Sequence, residues 1–253
     1  MEHRPVPGAQ SFSRSMAVLQ LVADHPGAPT VADLMRQADL TRPTLYRILA
    51  SLEAEGLIRQ GADKRYRLGS RLIGLAHSAL AQQDIRSLAR DALSALRDET
   101  GETVHLAVRT RDEMVYIEKV ESVELVRMAS TVGTRVPFHT SSVGKAFLAA
   151  LTEAEAEALI DRLDLPAVTG RTVTDPETLR ARIAAARRFG YSSDEEENET
   201  GIVCFGAAIR DAAGQPVASV SVSVPTFRLK EDRSLYWRPL LARCAAISRQ
   251  LGG

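Results

Sequence analysis

The sequence predicts an α+β protein in two parts. A mostly helical, winged helix-turn-helix occupies residues 12–68, and a linker helix over 69–82 leads to a larger α+β domain over 83–253. Three observations predict this. Residues 31–68 show two closely spaced helices followed by a basic hairpin. The hydrophobic period then changes from helical to alternating after Gly101. Two long alternating stretches, Ile202–Arg210 and Val217–Val224, are joined by the turn Ala212-Ala213-Gly214-Gln215-Pro216, which fits an antiparallel sheet.

Residues 1–11, which begin MEHRPVPGAQ, lack an apolar signal core and are expected to form a disordered leader. A first helix is predicted over 12–25. Ser13 is its cap, Met16, Leu19, Val22 and Ala23 are its apolar stripe, and the His25-Pro26-Gly27 turn stops it. A short helix begins near Val31. Thr41 is placed to cap the next one with its hydroxyl, and Pro43 falls in the first turn, where a missing N–H costs little. Leu45, Ile48, Leu49 and Leu52 then recur at i, i+3, i+4 and i+7, on one buried face. The opposite face carries Pro43, Thr44, Tyr46, Arg47 and Ala50. It is slim, hydroxylated and basic, as a helix entering the DNA major groove must be.

Gly56-Leu57-Ile58-Arg59 ends that helix and opens a strand. Ala62-Asp63 is expected to turn it, and Lys64–Leu68 to return, with Lys64 and Arg65 at the wing tip facing a duplex. From Thr41 to Arg67 there are six Lys/Arg against three Asp/Glu, whereas residues 69–253 carry 23 basic and 25 acidic residues. The formal net charge is zero, so affinity for nucleic acid must rest on this local excess. Thr41, Arg42, Thr44, Tyr46, Arg47, Lys64 and Arg65 are the candidate DNA contacts. A winged helix used only for protein contact is the competing reading.

In the second part, helices are expected at 70–81 and 86–100. Strands are expected at 103–110, 114–120 and 124–130, then helices near 141–151, 153–163, 177–189 and 231–251. Thr140 or Ser141 can cap the helix that opens at Ser142, Val143 and Gly144, whose N–H groups can then receive an anion. Ser219, Ser221 and Ser223 share one strand face. They either meet water or line a polar cavity with Cys204. The run Asp194–Glu199 reads as a solvated acidic loop. Cys204, His139 and these carboxylates show no metal-ligand spacing, so no metal or other cofactor is expected, and no nucleophile–base pair stands at motif spacing. Two cysteines and no apolar run near 20 residues point to a reducing cytoplasm, away from membranes.

Four segments together resemble the IclR family of bacterial transcriptional regulators: SFSRSMAVLQLV, LTRPTLYRILASLEAEGLI, RVPFHTSSVGKAFLAAL and RRFGYSSDEEENETGIVCFGAAIRDAAGQPVASVSVSVP. The resemblance spans Ser13 to about Leu251. It implies a GAF-like effector domain, a homodimer or dimer of dimers, a partly palindromic double-stranded operator and a small organic acid effector. Carried over by motif, the effector pocket falls on Leu125, Met128 and Val136 as an apolar wall, on Ser142 and Val143 at a helix start, and on Asp194, Cys204, Ser221 and Ser223 as the polar side. The resemblance thus favours the cavity for the serines. The alternative is an enzyme or metal-dependent sensor tethered by the winged helix.

Overall fold

The computed structural model describes residues 10–81, 84–125 and 128–252. The chain divides into two compact units, Met1–Gln82 and Gln83–Gly253.

In the first unit, α1 (Gln10–Asp24) buries Val18, Leu19 and Val22. Residues 1–9 of the expected leader lie outside the described residues. The helix already runs at Gln10, so Ser13 is interior and cannot cap it, and Met16 and Ala23 stay exposed. Helix α2 (Val31–Gln37) starts with a capping box in which Thr30 and Asp33 each satisfy the other's backbone N–H. Helix α3 (Arg42–Ala54) buries Leu45, Ile48, Leu49 and Leu52 against α1. Thr41 occupies the N-cap position, but its hydroxyl pairs with Thr44 Oγ1 at 2.9 Å and caps no N–H. The reason is local. Pro43 removes one of the two amides a cap can reach, and the Thr44 hydroxyl competes for the other's place.

Strands β1 (Ile58–Gln60) and β2 (Tyr66–Leu68) form the wing, paired antiparallel. The turn is wider than Ala62-Asp63: Gly61 and Arg65 close it, with Lys64 at φ 58°. Helix α4 (Arg71–Ala81) follows.

The second unit is a six-stranded antiparallel sheet, ordered β5-β4-β3-β8-β7-β6. Its strands are β3 (Thr103–Thr110), β4 (Glu113–Val120), β5 (Arg135–Pro137), β6 (Ser192–Glu195), β7 (Ile202–Arg210) and β8 (Pro216–Pro225). On one face lie α6 (Ser142–Ala150), α7 (Glu153–Ile160) and α8 (Pro176–Phe189), sharing a core with Ala107, Met114, Tyr116 and Val136. On the other face pack α5 (Asp84–Thr100) and α9 (Ser234–Gln250), where Tyr236 stacks on Phe205 with ring centroids 5.6 Å apart. With both faces covered, β8 is buried over most of its length, serines included.

Two expectations fail here. No described residue of 124–130 is in a strand, with 126 and 127 outside the described residues, and the short β5 takes the place beside β4. The carbonyls of Met128 and Ser130 instead accept hydrogen bonds from Lys119 Nζ, at 2.8 and 2.7 Å. The acidic run is no solvated loop either: it opens in the edge strand β6, and Asp194 and Glu197 are each 3% exposed.

Candidate DNA face and ligand cavity

The exposed side of α3 presents Arg42, Tyr46 and Arg47, with Thr44 half-buried between them and the Arg42 guanidinium 5.9 Å from the centre of the Tyr46 ring. Arg47 makes no ion pair among the described residues. On the wing the basic residues divide. Arg65 is half-buried and donates to Ala28 O at 2.8 Å, so it ties the wing to the turn before α2. Arg67 is paired with Asp63 at 2.6 Å. Lys64, lifted by its left-handed backbone, is the exposed cation at the tip, with Arg59 exposed on β1.

In the second unit, a cavity of 290 Å³ opens between the start of α6, the β6–β7 corner and the loop before β5. Two glycines set α6 this close. A Cβ on Gly206 would stand 2.4 Å from Ser142 O, and one on Gly144 would stand 2.5 Å from Phe138 Cα. Ser141 caps the helix by accepting from Gly144 N at 3.1 Å. The N–H groups of Ser142 and Val143 have no acceptor within the helix, as in any first turn.

The polar side holds Asp194, Asn198, Cys204 and Ser223, with the exposed Glu199 at its rim. Asp194 Oδ1 accepts from Glu197 N at 2.7 Å and Asn198 N at 3.2 Å. Burial nevertheless pushes its carboxyl up to about 7, against the pull of Lys145 and those two amides. Behind it lies a buried ion pair, Lys145 Nζ to Glu197 Oε2, at 2.6 Å. The wall is aromatic: His105 stacks on Tyr116 with centroids 4.4 Å apart. Burial, with help from Lys119, drives the His105 imidazole down to about 3, so it stays neutral. Its Nε2 lies 2.8 Å from Ser130 Oγ. Cys204 Sγ donates to Ser223 Oγ at 3.2 Å, and burial holds that thiol well above the ordinary range, protonated and inert.

Of the residues expected around a ligand, Met128, Val136, Ser142, Asp194, Cys204 and Ser223 line this cavity. Three do not. Leu125 is 98% exposed, on a loop directed to solvent. Val143 is rotated by one helical step into the core with Phe138 and Phe147. Ser221 pairs with Gly206 in register, and the start of α6 resting on Gly206 roofs it over. His105 and Tyr116 are absent from the expected set. The signal was present: His105 alternates with Val104 and Leu106 on a strand expected to be apolar on one side, which puts a titratable ring on the other.

Residues 77–249 match the family model for the C-terminal part of the bacterial transcriptional regulator IclR, and residues 11–62 match the IclR helix-turn-helix domain. The chain belongs to the IclR family. It is 32% identical over 239 residues to the transcriptional repressor IclR of Escherichia coli K12, spanning 93% of this chain and 87% of that one. It superposes on the crystal structure of Thermotoga maritima IclR with TM-score 0.77 and 33% identity, over 96% of this chain and 99% of that one. An IclR homologue from Microbacterium hydrocarbonoxydans, solved in complex with 4-hydroxybenzoate, matches with TM-score 0.79 and 28% identity, over 96% and 99% of the two chains. The protein is therefore a DNA-binding transcriptional regulator and not an enzyme. Among the described residues no helix is long and apolar enough to cross a membrane.

Proposed function

We propose that this regulator senses a small hydroxylated organic acid, of which a phenolic acid is the best fit, in the 290 Å³ cavity at the start of α6. One observation carries the reading. The open amides of a helix N-terminus and a carboxyl raised to about 7 line the same cavity. The amides suit a carboxylate. Asp194 suits a hydroxyl, and repels the carboxylate less when it holds its own proton. The flat His105–Tyr116 wall suits a planar skeleton. The relative crystallised with 4-hydroxybenzoate supports the same class.

The regulator acts in the cytoplasm as a homodimer or dimer of dimers. One winged helix reads few base pairs, so its operator is partly palindromic, with half-sites about one helical turn or a multiple apart. Arg47 and Lys64 meet phosphate and Thr44 and Tyr46 meet base edges. Thr41 and Arg42 flank them, and Arg65 braces the wing from behind. The ligand alters operator affinity because it prefers one of two arrangements of the protein.

The test is thermal shift and calorimetry on the full chain with 4-hydroxybenzoate, benzoate and glyoxylate, followed by operator binding. Stabilisation is expected to be greatest with 4-hydroxybenzoate and to weaken as pH rises through about 7. Asp194→Ala and Ser223→Ala should remove the response and spare ligand-free operator binding. Arg47→Ala and Lys64→Ala should each lower the salt slope by about one. A response intact in Asp194→Ala places the ligand elsewhere.

A further inference from the structure

We infer that the second unit holds another ligand site, at the opposite end of α6, which takes the oxyanion group of a small, apolar-bodied molecule. A cavity of 490 Å³ lies there, larger than the first. Its floor is apolar and narrow-sided: Ala146 and Ala149 of α6, Ala186 of α8 and Ala208 of β7. Thr152, Tyr191 and Gln215 are its neutral polar side chains, and its charged groups are cationic. Arg187 and Arg210 both border it, and no Asp or Glu does.

The two guanidiniums are held in place from behind. Arg210 Nη1 donates to Ala150 O and to Gly214 O, both at 2.7 Å. Arg187 Nε donates to Ala149 O at 3.2 Å. These bonds fix the two side chains against the last turn of α6 and leave the other Arg210 nitrogens and Arg187 Nη1 without a bonded partner among the described residues. Neither arginine makes an ion pair among the described residues, although Arg162, Arg171, Arg180, Arg228, Arg233 and Arg243 of the same unit all do. Arg187 also borders a neighbouring cleft with Glu153, Glu157 and Glu177; Glu157 and Glu177 bind Arg180, and Glu153 makes no ion pair with Arg187.

The charge balance leaves room for one anion. The C-terminal ends of α6 and α8 each contribute roughly half a negative charge. Two guanidiniums exceed that by roughly one positive charge. A carboxylate or phosphate group between the two side chains would complete the balance. Arg210 keeps the paired Nε and Nη2 donors that match such a group, and Arg187 adds Nη1, its Nε and Nη2 being bonded to carbonyls of residues 149, 151 and 152. The alanine floor then receives the apolar body. Tyr191 forms the remaining wall and stacks on Trp237, with ring centroids 5.0 Å apart and planes within 2°. Trp237 is the chain's only tryptophan, so the cavity carries its own optical probe.

The test is titration of the full-length protein with benzoate, phenyl phosphate and phenol, read by Trp237 emission. A saturable change with benzoate or phenyl phosphate, and none with phenol, is expected, and the tighter of the two identifies the oxyanion. Arg187→Gln and Arg210→Gln should each raise the dissociation constant by about tenfold or more. Ala149→Leu raises a bulky side chain from the floor beside both arginines and keeps them, so it should abolish the change by blocking the ligand's body even if an arginine variant fails to fold. Asp194→Ala, which alters only the first cavity, should leave the emission change in place. The inference is overturned if neither anion changes the emission at millimolar concentration. It is equally overturned if the change survives Ala149→Leu, or disappears with Asp194→Ala.

Discussion

The two ends of α6 meet opposite chemistry. At its N-terminal end the helix faces a carboxyl, Asp194, and a cavity of 290 Å³ with an aromatic wall. At its C-terminal end it is capped by two guanidiniums, Arg187 and Arg210, beside a cavity of 490 Å³ with an alanine floor. Each end thus carries side chains of the sign its dipole favours. The outcome differs because burial differs. Arg187 is exposed and Arg210 half-buried, whereas Asp194 is 3% exposed and its carboxyl climbs to about 7 despite Lys145 and two backbone amides. Desolvation outweighs a favourable cation and amide donors when water is excluded.

The largest effect should come from cutting the ion pair beneath the N-terminal end. Lys145→Met leaves Glu197 charged and buried, and a loss of about 3–5 kcal/mol is expected in urea unfolding. Arg210→Gln, at the more open end, should cost about 1 kcal/mol or less by the same measurement. Equal losses would break the contrast between the two ends.

A second experiment sharpens the role of burial. Asp194 binds its proton more tightly in the folded chain than in the unfolded one. Its contribution to stability is therefore present below the unfolded value, near 4, and is lost as pH rises towards about 7. The difference in stability between the native chain and Asp194→Asn should change across that window, with a limiting slope of about 1.4 kcal/mol per pH unit, Asn being favoured at the alkaline end. A flat difference would mean that Asp194 is solvated. The smallest effect concerns the helix start itself. Ser141→Ala removes the acceptor for Gly144 N and should cost about 1 kcal/mol, while Thr41→Ala at α3, whose hydroxyl caps nothing, should cost a few tenths.

How far these features are legible in the chain depends on the range of the interactions behind them. The buried stripe Leu45, Ile48, Leu49 and Leu52 and the limits of β3 and β7 follow from periods of 3.6 and 2 written in consecutive residues. The winged helix-turn-helix and the family follow from motifs of a few dozen residues. Strand β5 is only three residues long, too short to show an alternation, and exists because β4 offers it an edge. Arg65 reads as a wing-tip cation until Ala28, 37 residues earlier, comes within hydrogen-bonding distance. The acidic run reads as solvated because nothing nearby neutralises it; Lys145, 52 residues before Glu197, does so in space.

The sequence by itself determined the helices, the long strands β3, β4, β7 and β8, the fold class and the residue types gathered near the start of α6, since these depend on local periodicity and turn chemistry. Only the tertiary structure decided which of those residues share a cavity, which carboxyl is stripped of water, and that two arginines stand together at the other end of the same helix. Burial and charge environment are sums over distant segments, and a linear pattern carries no record of that sum until the chain has packed.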